Sequence, residues 1–213
     1  MQLATENQTL EQRVKERTDA LAASRIEVLE RLAMATEMRD DLTGDHTRRV
    51  GQLAGELAEL VGEPPDRVEF IRRAAPIHDI GKIAIPDSIL HKPGALTADE
   101  AAIMRTHTTI GASILAGGDN ELVMTAERIA LTHHERWDGL GYPNRLAGDA
   151  IPLEGRITAI ADFFDALTHD RPYRLAVPRE FVLLDIERGA GTQFDPRVAK
   201  AIREAPAAKK PAS

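Results

Sequence analysis

Apolar positions along this chain recur three and four residues apart. Val50, Leu53, Ala54, Leu57 and Val61 form one such stripe, and Gly62 with Pro64-Pro65 stops it. Val68, Ile71 and Ala75 form a second stripe running towards His78. Thr97 and Glu100 have capping-box spacing and open a helix through Met104, His107, Gly111 and Ile114. Leu122, Val123, Ala126, Ile129 and Ala130 share a face that leads into His133 and His134. Ile157, Ile160, Ala161, Phe164 and Leu167 mark another helix, and Asp195-Pro196 supplies the N-cap and first-turn proline of the last. The prolines and glycine of PDSILHKPGA (86–95) predict a loop. No alternating strand pattern competes with these stripes, so the predicted fold class is all-α.

Residues 1–38 are patterned differently. They contain no Gly or Pro, and apolar residues recur by heptads: Leu3 and Leu10 on one seam line, Val14, Leu21 and Val28 on the other. Asn7, Arg17, Ser24 and Arg31 interrupt the seam. A helix with such a stripe needs a partner, which predicts a homodimeric coiled coil; a single solvated helix is the alternative. It would also serve as a linker from an upstream sensor domain. The expected organisation is this N-terminal helix, a helical domain over 39–203, and a disordered tail over 204–213.

Composition narrows the classes. Hydrophobic residues make up 43% but aromatics only 4%, which suits a helical core of Leu, Ile, Val and Ala. The absence of cysteine excludes disulfides and thiolate metal sites. A formal charge of −7 argues against broad binding of nucleic acid. No apolar run has the length of a membrane span, and MQLATENQTLEQRVKERTDAL lacks the apolar core of a secretory signal. The expectation is a soluble, cytoplasmic protein.

The histidines carry the chemistry. His107 and His133 fall on inward-facing stripes. One histidine on such a stripe reads as an ordinary core residue. Several imidazoles ending separate helices are expensive to bury together unless something uses their lone pairs, and a metal does. A carboxylate beside an imidazole, as in His78-Asp79, can bridge two cations. Asp162 shares a helical face with Thr158, Asp165 and His169, a face that also reads as solvated. A nitrogen and oxygen ligand set suits Fe or Mn at least as well as Zn.

Six blocks in order, TGDHTRRV, HDIGKIAIPDSILHKPGALT, MRTHTTIG, HHERWDGLGYP, RITAIADFFDALTHDRPYR and GTQFDP, resemble the HD-GYP family of HD-domain metal-dependent phosphohydrolases, over about residues 39–203. The resemblance implies an HD-type helical bundle with a dinuclear centre. His46, His78, Asp79 and Asp162 would hold one metal; Asp79, His107, His133 and His134 would hold the other, with Asp79 bridging. A third metal in part of the family uses a Glu where this chain has Leu42, so two metals are expected. The implied activity is hydrolysis of cyclic di-GMP to linear pGpG or GMP by a hydroxide shared between the metals. Asp79 and Lys82 would serve catalysis. Tyr142, Arg171 and Arg174 would contact substrate, with Arg174 where most relatives have Lys, a change that keeps charge but not geometry. The resemblance also implies a GGDEF-domain partner for the GYP loop. Alternatives are a catalytically silent signalling module, or a phosphohydrolase acting on another nucleotide such as cyclic GMP-AMP.

Overall fold

The computed structural model describes residues 12–13, 17, 26–39, 45–118, 120–170 and 175–205. Among these the fold is helical throughout, with one isolated bridge between Ala190 and Phe194. The helices are α1 (26–39), α2 (Asp45–Leu60), α3 (Pro65–Ala74), α4 (Asp87–Leu90), α5 (Ala98–Arg105), α6 (His107–Leu115), α7 (Glu121–Thr132), α8 (Leu153–Thr168), α9 (Arg179–Arg188) and α10 (Pro196–Ala201). Two 3₁₀ turns, Ala75–Ile77 and Ile80–Ala84, lie either side of His78-Asp79.

The expected stripes build the core. Val50, Ala54 and Leu57 of α2 are fully buried and pack against α3 and α8. Gly62 takes a φ of +91° and ends the run, and Pro65 opens α3 in the first-turn position. Ile71, Ile129, Ile157, Ile160, Ile186 and Ile202 complete an interior with no solvent exposure. Each such side chain stabilises the fold by about 1.5–3 kcal/mol.

Three expectations need correction. The helix through Met104 to Ile114 breaks at Thr106. The hydroxyls of Thr106, Thr108 and Thr109 donate to carbonyls three residues back, competing with the helical pattern. α6 therefore buries His107, Gly111 and Leu115, and Ile114 is 44% exposed. The loop at 86–95 contains the short α4. Ala205, in the expected tail, is buried, and its carbonyl accepts from Arg179. In addition, α9 went unpredicted.

Leu3, Leu10, Val14 and Leu21 of the heptad seam, Leu42, and residues 206–213 lie outside the described residues. The rest of the N-terminal helix is not merely an appendage. Ile26 and Ala33 of α1 join the core cluster, and Glu30 pairs with Arg73 at 3.1 Å. The Arg39 guanidinium donates to the carbonyls of Lys82, Ile83 and Ile85 and to the Asp87 carboxylate. Val28, on the expected seam, is 53% exposed.

Candidate metal centre

Five elements deliver side chains to one point. His46 is the second residue of α2. His78 and Asp79 fill the corner between the two 3₁₀ turns. His107 starts α6 beyond the break at Thr106, His133 caps α7, His134 follows it, and Asp162 projects from the middle of α8. His46, His78, His107 and His133 are at most 2% exposed.

Two clusters result. In one, ligand atoms of Asp79, His107, His133 and His134 all lie within 4.8 Å of one another; in the other, those of His46, His78 and Asp162 do. Asp79 stands between them. Its Oδ1 is 3.3 Å from His107 Nε2 and 3.6 Å from His133 Nε2, whereas its Oδ2 is 3.2 Å from His78 Nε2. Asp162 Oδ1 lies 3.2 Å from His46 Nε2 and 3.9 Å from His78 Nε2.

The second nitrogen of each ring explains the orientation. His78 Nδ1 faces the Ala75 carbonyl at 2.8 Å, His107 Nδ1 the Met104 carbonyl at 2.7 Å, and His133 Nδ1 the Ile129 carbonyl at 3.0 Å. A carbonyl oxygen can only accept, so each Nδ1 carries the proton. A ring tethered in this way can present only its Nε2 to the centre. His46 Nδ1 donates to Asp165 at 2.6 Å, and Asp165 is itself gripped by Arg49 through two bonds of 2.6 and 2.9 Å. Such outer partners fix tautomer and ring angle in metal sites.

A cation fits this donor set. Among the described residues three buried side-chain polar atoms lack a hydrogen-bond partner, and two of them are here: His78 Nε2 and Asp79 Oδ1. Leaving such groups unsatisfied costs about 1–3 kcal/mol each, a cost that coordinated cations would remove.

Charge is distributed unevenly. Burial alone would lower the His46 pKa, yet hydrogen bonds to Asp162 and Asp165 raise it to about 10. Burial holds His107 down at about 4 and His134 well below its usual value, so both stay neutral. Burial disfavours the Asp79 carboxylate, but Lys82 and His78 outweigh it and hold Asp79 well below the usual range. Lys82 Nζ is 2.8 Å from Asp79 Oδ2. Glu37 of α1, also buried beside this cluster, is pushed up by its burial.

The residues of HHERWDGLGYP form one wall of a cleft of about 600 Å³, which His133, His134, Tyr142, Arg105, Asp162 and Gln193 line. The Tyr142 ring stacks on His134 with centroids 4.8 Å apart. Gly139 adopts φ +76°, and a Cβ on Gly141 would lie 2.4 Å from the Arg136 nitrogen. Buried Glu135 accepts from the amides of Asn144 and Leu146, which supports the loop. Arg171 and Arg174 lie outside the described residues.

Sequence reasoning missed two things here. The face shared by Thr158 and Asp165 is not solvated; Asp165 is 3% exposed and holds His46. His169 is partly exposed and bonds back to Asp165. Arg105, in MRTHTTIG, stands 5.2 Å over the Tyr142 ring and received no role.

The HD domain family pattern matches residues 28–198. The chain belongs to the HD domain family. That match begins inside α1, in keeping with the packing of Ala33 in the core. A protein of Xanthomonas campestris pv. campestris named cyclic di-GMP phosphodiesterase response regulator RpfG is 44% identical over 95% of this chain and 55% of its own length. A cyclic di-GMP phosphodiesterase of Thermotoga maritima is 50% identical over 82% of this chain and 48% of its own. The 3'3'-cGAMP-specific phosphodiesterase 2 of Vibrio cholerae is 47% identical over 84% of this chain and 34% of its own. This HD domain chain thus spans about half, or less, of the relatives it matches. Among solved structures, the cyclic GMP-AMP specific phosphodiesterase V-cGAP3 of V. cholerae superposes with a TM-score of 0.60 at 17% identity, over 83% of this chain and 48% of that one. Bd1817, an HDG"Y"P protein of Bdellovibrio bacteriovorus, also gives 0.60, at 18% identity over 75% of this chain and 50% of that one. At such identities the likeness is one of fold.

Proposed function

We propose that this HD domain is a metal-dependent phosphodiesterase that hydrolyses cyclic di-GMP to linear pGpG or on to GMP. One observation carries the reading: Asp79 offers one oxygen to the His107 and His133 nitrogens and the other to His78. A carboxylate so placed would join two nitrogen-rich pockets into a two-cation centre. His46, His78, Asp79 and Asp162 would hold one cation; Asp79, His107, His133 and His134 the other. The donor set of imidazole and carboxylate suits Fe or Mn. When bound, such cations lower the pKa of water and offset phosphate charge.

The chain's own side chains do the rest. The Nδ1 bonds keep four imidazoles oriented without rearrangement, which is preorganisation. Lys82 brings a positive charge to the edge of the centre, where it would meet the scissile phosphate. Tyr142 offers a flat face at the cleft mouth for a guanine. Arg171 and Arg174 supply further cations in RPYR. The names of the Xanthomonas and Thermotoga relatives support this substrate. The Vibrio relative supports a second reading, the mixed cyclic GMP-AMP, and the ratio of kcat/KM for the two dinucleotides decides between them. A ratio above about ten in favour of cyclic di-GMP is expected; the reverse ratio replaces the substrate assignment. Exposed Val28 and Leu32 on α1 support a homodimer through the N-terminal helix, which light scattering tests. A GGDEF-domain partner for the GYP loop belongs to the same reading, as does a cytoplasmic location. Among the described residues no helix is long and apolar enough to cross a membrane.

A further inference from the structure

Between residues 45 and 170 the chain pairs nearly all its guanidinium groups with carboxylates. Arg48, Arg49, Arg67, Arg72, Arg73, Arg128, Arg136 and Arg156 each face an Asp or Glu within 4.0 Å. Arg105 and Arg145 make no ion pair with any described residue. Both line one cavity of about 520 Å³, together with Thr106, Thr109, Tyr142 and Pro143. That volume is in the range of small-molecule sites, roughly 300–1,000 Å³.

The position of this cavity matters. It shares Arg105, Leu140, Gly141 and Tyr142 with the cleft at the metal centre, so the Tyr142 ring divides two adjoining spaces of about 600 and 520 Å³. No carboxylate lines the second space. The hydroxyls of Thr106 and Thr109 spend their protons on the Ile103 and Thr106 carbonyls, so they face a ligand as acceptors. Arg145 holds a left-handed φ of +56°, which costs free energy for a residue other than glycine and persists where the surroundings require it.

A cyclic dinucleotide has two nucleotide halves of equal size. Only one phosphate can stand over the candidate ligands at a time. We infer that the second cavity receives the half that is not being cut, with Arg105 and Arg145 on its phosphate and the threonine hydroxyls accepting from guanine N–H groups. This rests on the phosphodiesterase reading above. It makes Arg145 a binding residue for the intact cyclic dinucleotide.

The test compares cyclic di-GMP with bis(p-nitrophenyl) phosphate, a diester too small to fill both spaces. Arg145→Ala is expected to lower kcat/KM for cyclic di-GMP about tenfold or more, mainly through KM, the size of a lost charged hydrogen bond. The loss with the small diester should be at least five times smaller. Arg145→Lys, which keeps the charge, should recover most of the difference. Equal losses on the two substrates, or no loss on either, overturn the inference while leaving the phosphodiesterase in place. If the unaltered protein cuts the small diester but neither binds nor cuts cyclic di-GMP, the proposed substrate falls and this inference with it.

Discussion

His46, His78, His107 and His133 each have one ring nitrogen committed to the protein, and that commitment decides the chemistry at the residue scale. Asp79→Asn removes the charge that both clusters share. It is expected to release metal and abolish turnover, as read by elemental analysis and product chromatography; bound metal with full activity would show the carboxylate to be dispensable. Lys82→Ala is expected to lower kcat by about 10² while metal stays bound, the magnitude of a lost charge stabiliser. An unchanged kcat makes Lys82 a bystander. Protons compete with metal at His46. Its pKa in the metal-free protein is raised from 6.5 to about 10, so at pH 7 it carries a proton that a cation must displace. Metal affinity should therefore rise with pH through the neutral range and level off near 10. Calorimetric titration in buffers of different ionisation enthalpy should detect that proton; buffer-independent heats would contradict it.

Elements place these residues, and here the sequence was legible in some places and opaque in others. α2, α7 and α8 were readable because each buries a broad stripe of Val, Ile, Leu and Ala. α9 was not: it buries Val182 and Ile186 but exposes Phe181 and Leu184, so no period stands out. His107 and His133 were legible because they fall on clear stripes, whereas His46 and Asp162 were legible only through the motif blocks that resemble the family. The Asp165–Arg49 grip was not, since it joins residues 116 apart in the chain. Gly81 of HDIGK belongs to this scale as well. The turn that carries Asp79 lies directly on α6: a Cβ on Gly81 would come 1.9 Å from the His107 carbonyl and 2.5 Å from the Gly111 nitrogen. Backbone against backbone leaves little room to adjust. Gly81→Ala is expected to destabilise by about 1–3 kcal/mol or more and to weaken metal retention, because Asp79 and His107 are forced apart. Thermal melting and metal counts measure this; a parent-like melt would mean the contact is slack. The Arg39 guanidinium, bonded to the carbonyls of Lys82, Ile83 and Ile85, ties the end of α1 to the same turn.

At the scale of the whole molecule, a bundle of helices brings its histidines and aspartates to one buried cluster, and a glycine-rich loop forms one wall of the cleft beside it. The fold and the HD family membership follow from helical periodicity and six motif blocks. The volume that a substrate would occupy does not, because it depends on how α5, α6 and the GYP loop meet around Tyr142. The central claim is that two cations share Asp79 and that this centre cuts a cyclic dinucleotide. It is tested most directly by purifying the chain without oxygen, counting its metal, and following cyclic di-GMP by chromatography with and without chelator. The account predicts about two Fe or Mn per chain and a linear product that vanishes with chelator. Two bound metals with no turnover of either cyclic dinucleotide would contradict it.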